Sequence, residues 1–294
     1  MNMITANLLP NEPKITNLDL QAYLTHLHLQ PIAQDLERLF LILRSRLDTP
    51  LAQKQPSKLG KPYPLGQCLE ISQAFAEKLA AVNVADLKEP AMQNAFLALQ
   101  KFTKSGGELR QVWGDLRGDY FQNAFILGVW YVDVANDTVN PNKPSVEILP
   151  FAESGLRPIQ NFAHFAVIAK RYWKAVCLPN LIYPELAPFF PLIVLQPNAA
   201  PQLHGMFDYM IALTMGSEFR MSEEALKALP FPEHLYAAMA AQKGMDLGTA
   251  REQSLAACSQ ARALGHHLSE DARHRAIQNA LQVNHSLKAL TVRF

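Results

Sequence analysis

The sequence predicts an α+β fold, and three observations predict it. Apolar residues recur at helical spacing through residues 18–104, short aromatic or β-branched runs broken by turn residues follow Gly107, and helical spacing returns from about Leu203 onward. Composition supports a substantial core. Of 294 residues 49% are hydrophobic and 18% charged, below the roughly 25% charge of an ordinary globular chain, which excludes disorder throughout.

Leu18–Leu29 and Ile32–Leu47 are predicted as helices parted by Pro31, the second carrying Leu36, Leu39, Phe40, Leu43 and Leu47 on one face. Pro50, Pro56, Pro62 and Pro64 then predict an irregular, exposed connection from Asp48 to Pro64. A third helix is expected from Leu65 to Val82, with Cys68, Ile71, Phe75, Leu79 and Val82 along its buried stripe. A fourth, Glu89–Lys104, is stopped by Gly106 and Gly107.

Leu109–Trp113, Tyr120–Gly128, Val129–Val134 and Ser145–Leu149 read as strands, Gly128 marking a turn. Together they predict a small, mainly antiparallel sheet, with Leu192–Leu195 a further candidate strand. Leu156–Val176 reads as a helix. The proline-interrupted, apolar segment after it is expected to pack as extended pieces. His204–Gly216, Ser222–Ala228, Pro232–Lys243, Thr249–Leu264 and Ser269–Leu290 complete a helical C-terminal region. The expected division is an α+β domain over residues 1–202 and a helical region over residues 203–294.

Charge and motifs narrow the function. Lys plus Arg is 27 against Asp plus Glu at 26, so no global field favours nucleic acid or an anionic membrane. No apolar run approaches the roughly 20 residues of a membrane span. Met1–Lys14 has no basic segment before an apolar block, and it contains Pro10 and Pro13, so a cytoplasmic location is expected. Cys68, Cys177 and Cys258 are odd in number and far apart, which suits free thiols in a reducing compartment. GxGxxG, Walker, HExxH and GxSxG motifs are absent, and no cofactor is called for. Asp115, Asp119, Asp133, Asn136 and Asp137 gather oxygen ligands, but EF-hand spacing is missing and Asn136-Asp137-Thr138 reads as a turn.

The segment richest in chemistry is Tyr63-Pro64-Leu65-Gly66-Gln67-Cys68-Leu69-Glu70-Ile71-Ser72. It places a cysteine in the first turn of a helix, where unsatisfied amides favour a nucleophilic thiolate. The alternative is a small apolar residue filling the inward face. Gly118–Thr138 then forms a strand, a turn at Gly128 and a second strand ending in Val132-Asp133. Over Tyr63–Thr138 this layout resembles the papain-like and transglutaminase-like cysteine enzymes. The resemblance implies that Cys68 is the nucleophile and Asp133 the orienting acid, with Asn123-Ala124-Phe125 where the family has its histidine and two following residues. Asn123 has no titratable nitrogen, so the family's general base is missing there. Either activity is lost, or another base such as His164 or His204 enters, or Asp119 or Asp133 polarises the thiol.

Trp113, Arg117, Asp119, Tyr120, Gln122 and Trp130 are the candidate substrate-binding residues. Two readings stay open: a thiol-dependent amide or acyl hydrolase or transferase, and a non-catalytic relative binding a peptide, polysaccharide or partner protein in the same groove. Neither involves nucleic acid or a membrane. The C-terminal helices offer a surface for self-association in both.

Overall fold

A computed structural model describes residues 8–58, 60–197, 199–204, 208–244 and 246–289. The fold is α+β, and the chain divides into two compact units, Met1–Pro158 and Ile159–Phe294.

The first unit opens with α1, Leu18–Leu24, capped by the Asn17 side chain accepting from the Leu20 amide at 3.4 Å. One π turn, Thr25–Leu29, and a 3-10 turn, Gln30–Ile32, lead into α2, Ala33–Lys54. Helix α2 continues through Pro50, beyond the end its sequence predicts. The hydrogen bond Pro50 cannot make would go to the carbonyl of Arg46, and both residues are exposed, a setting in which water can serve the freed acceptor. A short hairpin of β1, Ser57–Lys58, and β2, Lys61–Pro62, occupies the stretch expected to be irregular. Helices α3, Cys68–Ala80, and α4, Pro90–Lys104, follow.

Five strands then form one antiparallel sheet in the order β6-β5-β4-β3-β7: β3 is Leu109–Leu116, β4 Tyr120–Leu127, β5 Trp130–Asp133, β6 Glu147–Pro150 and β7 Leu156–Arg157. The single turn α5, Phe151–Ser154, joins the last two. Leu156–Arg157, expected to start a helix, pairs with β3 because Pro158 holds the preceding residues extended.

Register decides which side chains meet. Trp113 pairs with Asn123, and Phe125 with Val132. Since side chains alternate across a strand, odd positions of β3 and β4 share a face with even positions of β5. On that face Phe125, Leu127 and Val132 pack with Cys68, Phe75 and Leu79 of α3 and with Phe96 and Leu99 of α4. On the other, Val112, Leu116, Ala124, Ile126, Tyr131 and Leu156 form a smaller cluster. The π turn meets the β4–β5 hairpin: the Val129 amide donates to Thr25 Oγ1 at 3.1 Å. A Cβ at Gly128 would lie 2.0 Å from that oxygen, so glycine is required there.

The second unit has its own core. Helix α6, Phe162–Trp173, starts at Asn161, whose side chain accepts from the His164 amide at 2.8 Å. Strands β8, Val176–Pro179, β9, Leu192–Leu195, and β10, Gln202–His204, form a separate antiparallel sheet in the order β10-β9-β8. Helices α7 to α11 follow: Asp208–Gly216, Arg220–Ala228, Glu233–Lys243, Ala250–Ala263 and Glu270–Leu287. Leu192–Leu195 therefore joins this sheet and not the five-stranded one. Residues 159–202, read from sequence with the first domain, belong with the C-terminal helices, because Leu178, Ile182, Phe190 and Ile193 share a core with Leu226, Tyr236, Met239 and Cys258. The fully buried Asn180 shapes the loop between β8 and β9. Its amide donates to the carbonyls of Tyr183 and Phe190 at 3.2 and 2.9 Å and its oxygen accepts from the Tyr183 amide at 3.0 Å. Among the described residues no helix is long and apolar enough to cross a membrane.

Candidate functional site

Cys68 lies in the first turn of α3, as expected, although the helix begins at Cys68 itself and not at Leu65. The turn before it is pinned on two sides. Gly66, at a φ of 75° that favours glycine, donates its amide to the Thr138 carbonyl at 2.9 Å, and Gln67 donates through Nε2 to the Gln55 carbonyl at 3.0 Å. The helix start thus lies against the sheet, with Sγ 4.0 Å from the Phe121 carbonyl oxygen. Asn123 Nδ2 donates to the sulfur at 3.5 Å. Ser72, one turn along α3, donates to the Asn123 carbonyl at 3.2 Å and fixes that register. The structure therefore brings Cys68 and Asn123 together.

The thiol is nearly closed off. Cys68 is 8% exposed, as is Asn123. Burial pushes the Cys68 pKa up; the bond from Asn123 opposes this, the Asp133 charge adds to it, and Lys58 works against it. Helix-start position does not prevail over desolvation here. The Cys177 and Cys258 thiols are likewise raised to about 12, burial being the main cause in both.

Asp133 does not meet the thiol. It follows Val132, whose partner Phe125 shares a face with Asn123, so Asp133 turns to the opposite face of the sheet. There its carboxylate is fully buried and takes three uncharged donors: Gln122 Nε2 at 2.7 Å, the Tyr131 hydroxyl at 2.8 Å and the Ala135 amide at 2.8 Å. Asp133, read from the sequence as the acid that orients whatever base is present, is turned by this register away from position 123. Burial lifts its pKa to about 6, against the three hydrogen bonds that lower it. The Gln122 amide also reaches the Ala135 carbonyl at 3.2 Å, while its own Oε1 is buried with no hydrogen-bond partner among the described residues.

The candidate binding residues divide between the two faces as well. Trp113 is buried on the Asn123 side, stacked on Phe121 at 5.4 Å, and the half-buried Trp130 packs against the core that holds Cys68 and Phe125. Tyr120 and Gln122 belong to the Asp133 side. Arg117 and Asp119 lie exposed at the β3–β4 turn, where Arg117 donates to the Ser154 carbonyl at 3.0 Å and to Glu147 at 3.2 Å. Trp113, Asn123 and Trp130 share the helix-covered face while Tyr120 lies on the other, so no single groove spans all four.

The proposed oxygen cluster also disperses. Asp115 accepts from the Gly118 amide at 2.7 Å and from Arg157 at 2.8 Å, Asp133 from the donors above, and Asp137 from Arg44 at 3.2 Å. Asn136–Thr138 forms the expected turn. Among the described residues no group of three His, Cys, Asp or Glu side chains is placed to hold a metal ion. His164 and His204, the candidate replacement bases, belong to the second unit. His164 Nδ1 accepts from the Gln160 amide at 3.3 Å, and His204 packs on Trp173 and Phe165 at 5.1 and 5.2 Å, burial lowering its pKa to about 4.

One residue that holds the site went unread in the sequence. Arg44 is fully buried on α2 and donates to the Val134 carbonyl at 2.9 Å, to both Asp137 oxygens at 3.2 Å and to Asp48. Tyr63, at the approach to Cys68, donates to the same Asp48 at 2.7 Å. Its signal was present: position 44 lies four residues after Phe40, on the stripe of Leu36, Leu39, Phe40 and Leu43, where a charge is out of pattern. The chain matches no family model, no curated protein and no solved structure.

Proposed function

We propose that the first unit is a non-catalytic relative of the papain-like and transglutaminase-like thiol enzymes, serving to bind a peptide, polysaccharide or partner protein and not to hydrolyse or transfer an acyl group. The observation that carries this reading is the Asn123 amide donating to the Cys68 sulfur at 3.5 Å. A side-chain amide accepts no proton near neutral pH, so the thiol keeps its own. Burial raises the Cys68 pKa and favours that neutral form. Asp133, engaged by Gln122, Tyr131 and Ala135 on the other face, has no imidazole to orient. A helix-borne cysteine packed on an antiparallel sheet supports the kinship; its partner groups argue against turnover.

Alkylation of the native protein with iodoacetamide at about pH 7 tests this, since only a thiolate reacts quickly. Cys68 is expected to react no faster than Cys177 or Cys258, and an Asn123→His variant is expected to speed it. Rapid labelling of the unmodified chain, together with amide or acyl turnover that Cys68→Ser abolishes, would overturn the reading. A folded Asn123→His variant with unchanged labelling would separate the segment from the enzyme layout.

A further inference from the structure

The helix-covered face of the sheet carries a second feature farther along α3 and α4, away from the thiol. It is an apolar pocket of about 400 Å³ bounded by α3, α4, β3 and β4. Phe125 contributes from β4, and Leu79, Phe96 and Leu99 from the two helices. Ala76 and Ala80, one turn apart on α3, present only methyl groups where a longer side chain would fill the space. Its volume lies toward the lower end of the roughly 300–1,000 Å³ of small-molecule sites. A helix, about 10–12 Å across, does not enter a space of that size.

The lining also selects chemistry. Among the described lining residues none is charged, so a charged head group drawn inside would lose its hydration without a counter-ion. Two neutral amides, Gln100 and Gln111, line the pocket, and neither side chain is hydrogen-bonded to another described residue. Each offers a donor and an acceptor to an uncharged polar group.

We infer that this pocket binds an aliphatic chain of medium length bearing an uncharged hydrogen-bonding head, such as an alcohol, amide or ester. The chain replaces water against Leu79, Phe96, Leu99 and Phe125, and the head meets Gln100 or Gln111. The assignment is independent of whether Cys68 is catalytic.

Calorimetric titration of the full chain with straight-chain primary alcohols from hexanol to dodecanol tests it. Affinity is expected to rise roughly fourfold per methylene, the value for burying one such group, and then to level off once the pocket is full. One of Gln100→Leu and Gln111→Leu is expected to weaken binding roughly fivefold, the loss of one neutral hydrogen bond, without changing the slope per methylene, and no loss from either would overturn the head-group contact. Ala76→Phe is expected to abolish binding by filling the space. Ala80→Phe, at an exposed position, gives the same test should the first variant fail to fold. The inference is overturned by absent binding, by affinity independent of chain length, or by binding that survives either phenylalanine variant in folded protein. Matching carboxylates that bind as tightly as the alcohols would overturn the uncharged head.

Discussion

Asp133 keeps its carboxylate among an amide, a hydroxyl and a backbone N–H, and burial raises its pKa from 3.8 to about 6. The folded chain therefore holds this proton more tightly than the unfolded chain does. Its contribution to stability is fully present below about pH 4 and is lost as pH rises through about 6, a change of about 3 kcal/mol at ~1.4 kcal/mol per pKa unit. Asp137, raised chiefly by burial, acts in the same direction. Asp133→Asn is expected to remove most of the Asp133 part, with the Gln122 amide turning over so that its oxygen accepts from the new Nδ2. Urea unfolding at about pH 4 and pH 7 checks this, and parallel pH profiles for the two proteins would refute it. At this scale the sequence disclosed Cys68 at a helix start and Asn123 in a strand, because those patterns are local. It could not disclose the face of Asp133. That depends on the pairing across the Gly128 hairpin, where a shift of one residue turns every side chain over.

Elements are tied together by the Arg44 cluster. Its guanidinium joins α2 to Val134 and Asp137 beyond β5, while Asp48 passes the link to Tyr63 in the turn before α3. Arg44→Met keeps much of the volume but strands Asp137 and the Val134 carbonyl, so a loss of about 3–5 kcal/mol is expected in denaturant unfolding. A loss below about 1 kcal/mol, the range of an exposed ion pair, would show that the cluster does not anchor the helix start. The elements themselves were largely legible, since helical spacing marks α2, α3, α4 and the C-terminal helices directly. Prolines misled twice. Pro50 sits on a solvent-facing turn that tolerates it, and among the prolines after Val176 the strand expected at Leu192–Leu195 forms but joins β8 and β10, not the five-stranded sheet.

At the scale of the whole molecule, each unit holds a large hydrophobic core, one around Phe40, Phe75 and Phe125 and the other around Phe190, Phe219 and Tyr236. Composition announced that a large apolar interior exists; only long-range pairing tells how it is shared. Phe190→Ala, a cavity-forming change costing about 3–5 kcal/mol, is expected to lower the urea concentration at which the second unit opens while leaving the first nearly unchanged. Thiol reactivity followed by mass spectrometry checks it, and a joint shift of both transitions would mean that the cores melt as one. The positions of the cysteines make that measurement simple. Each core encloses native sulfur, Cys68 in one and Cys258 in the other, so the chain comes supplied with its own tell-tales and either half's loosening is visible without an added dye or an engineered probe.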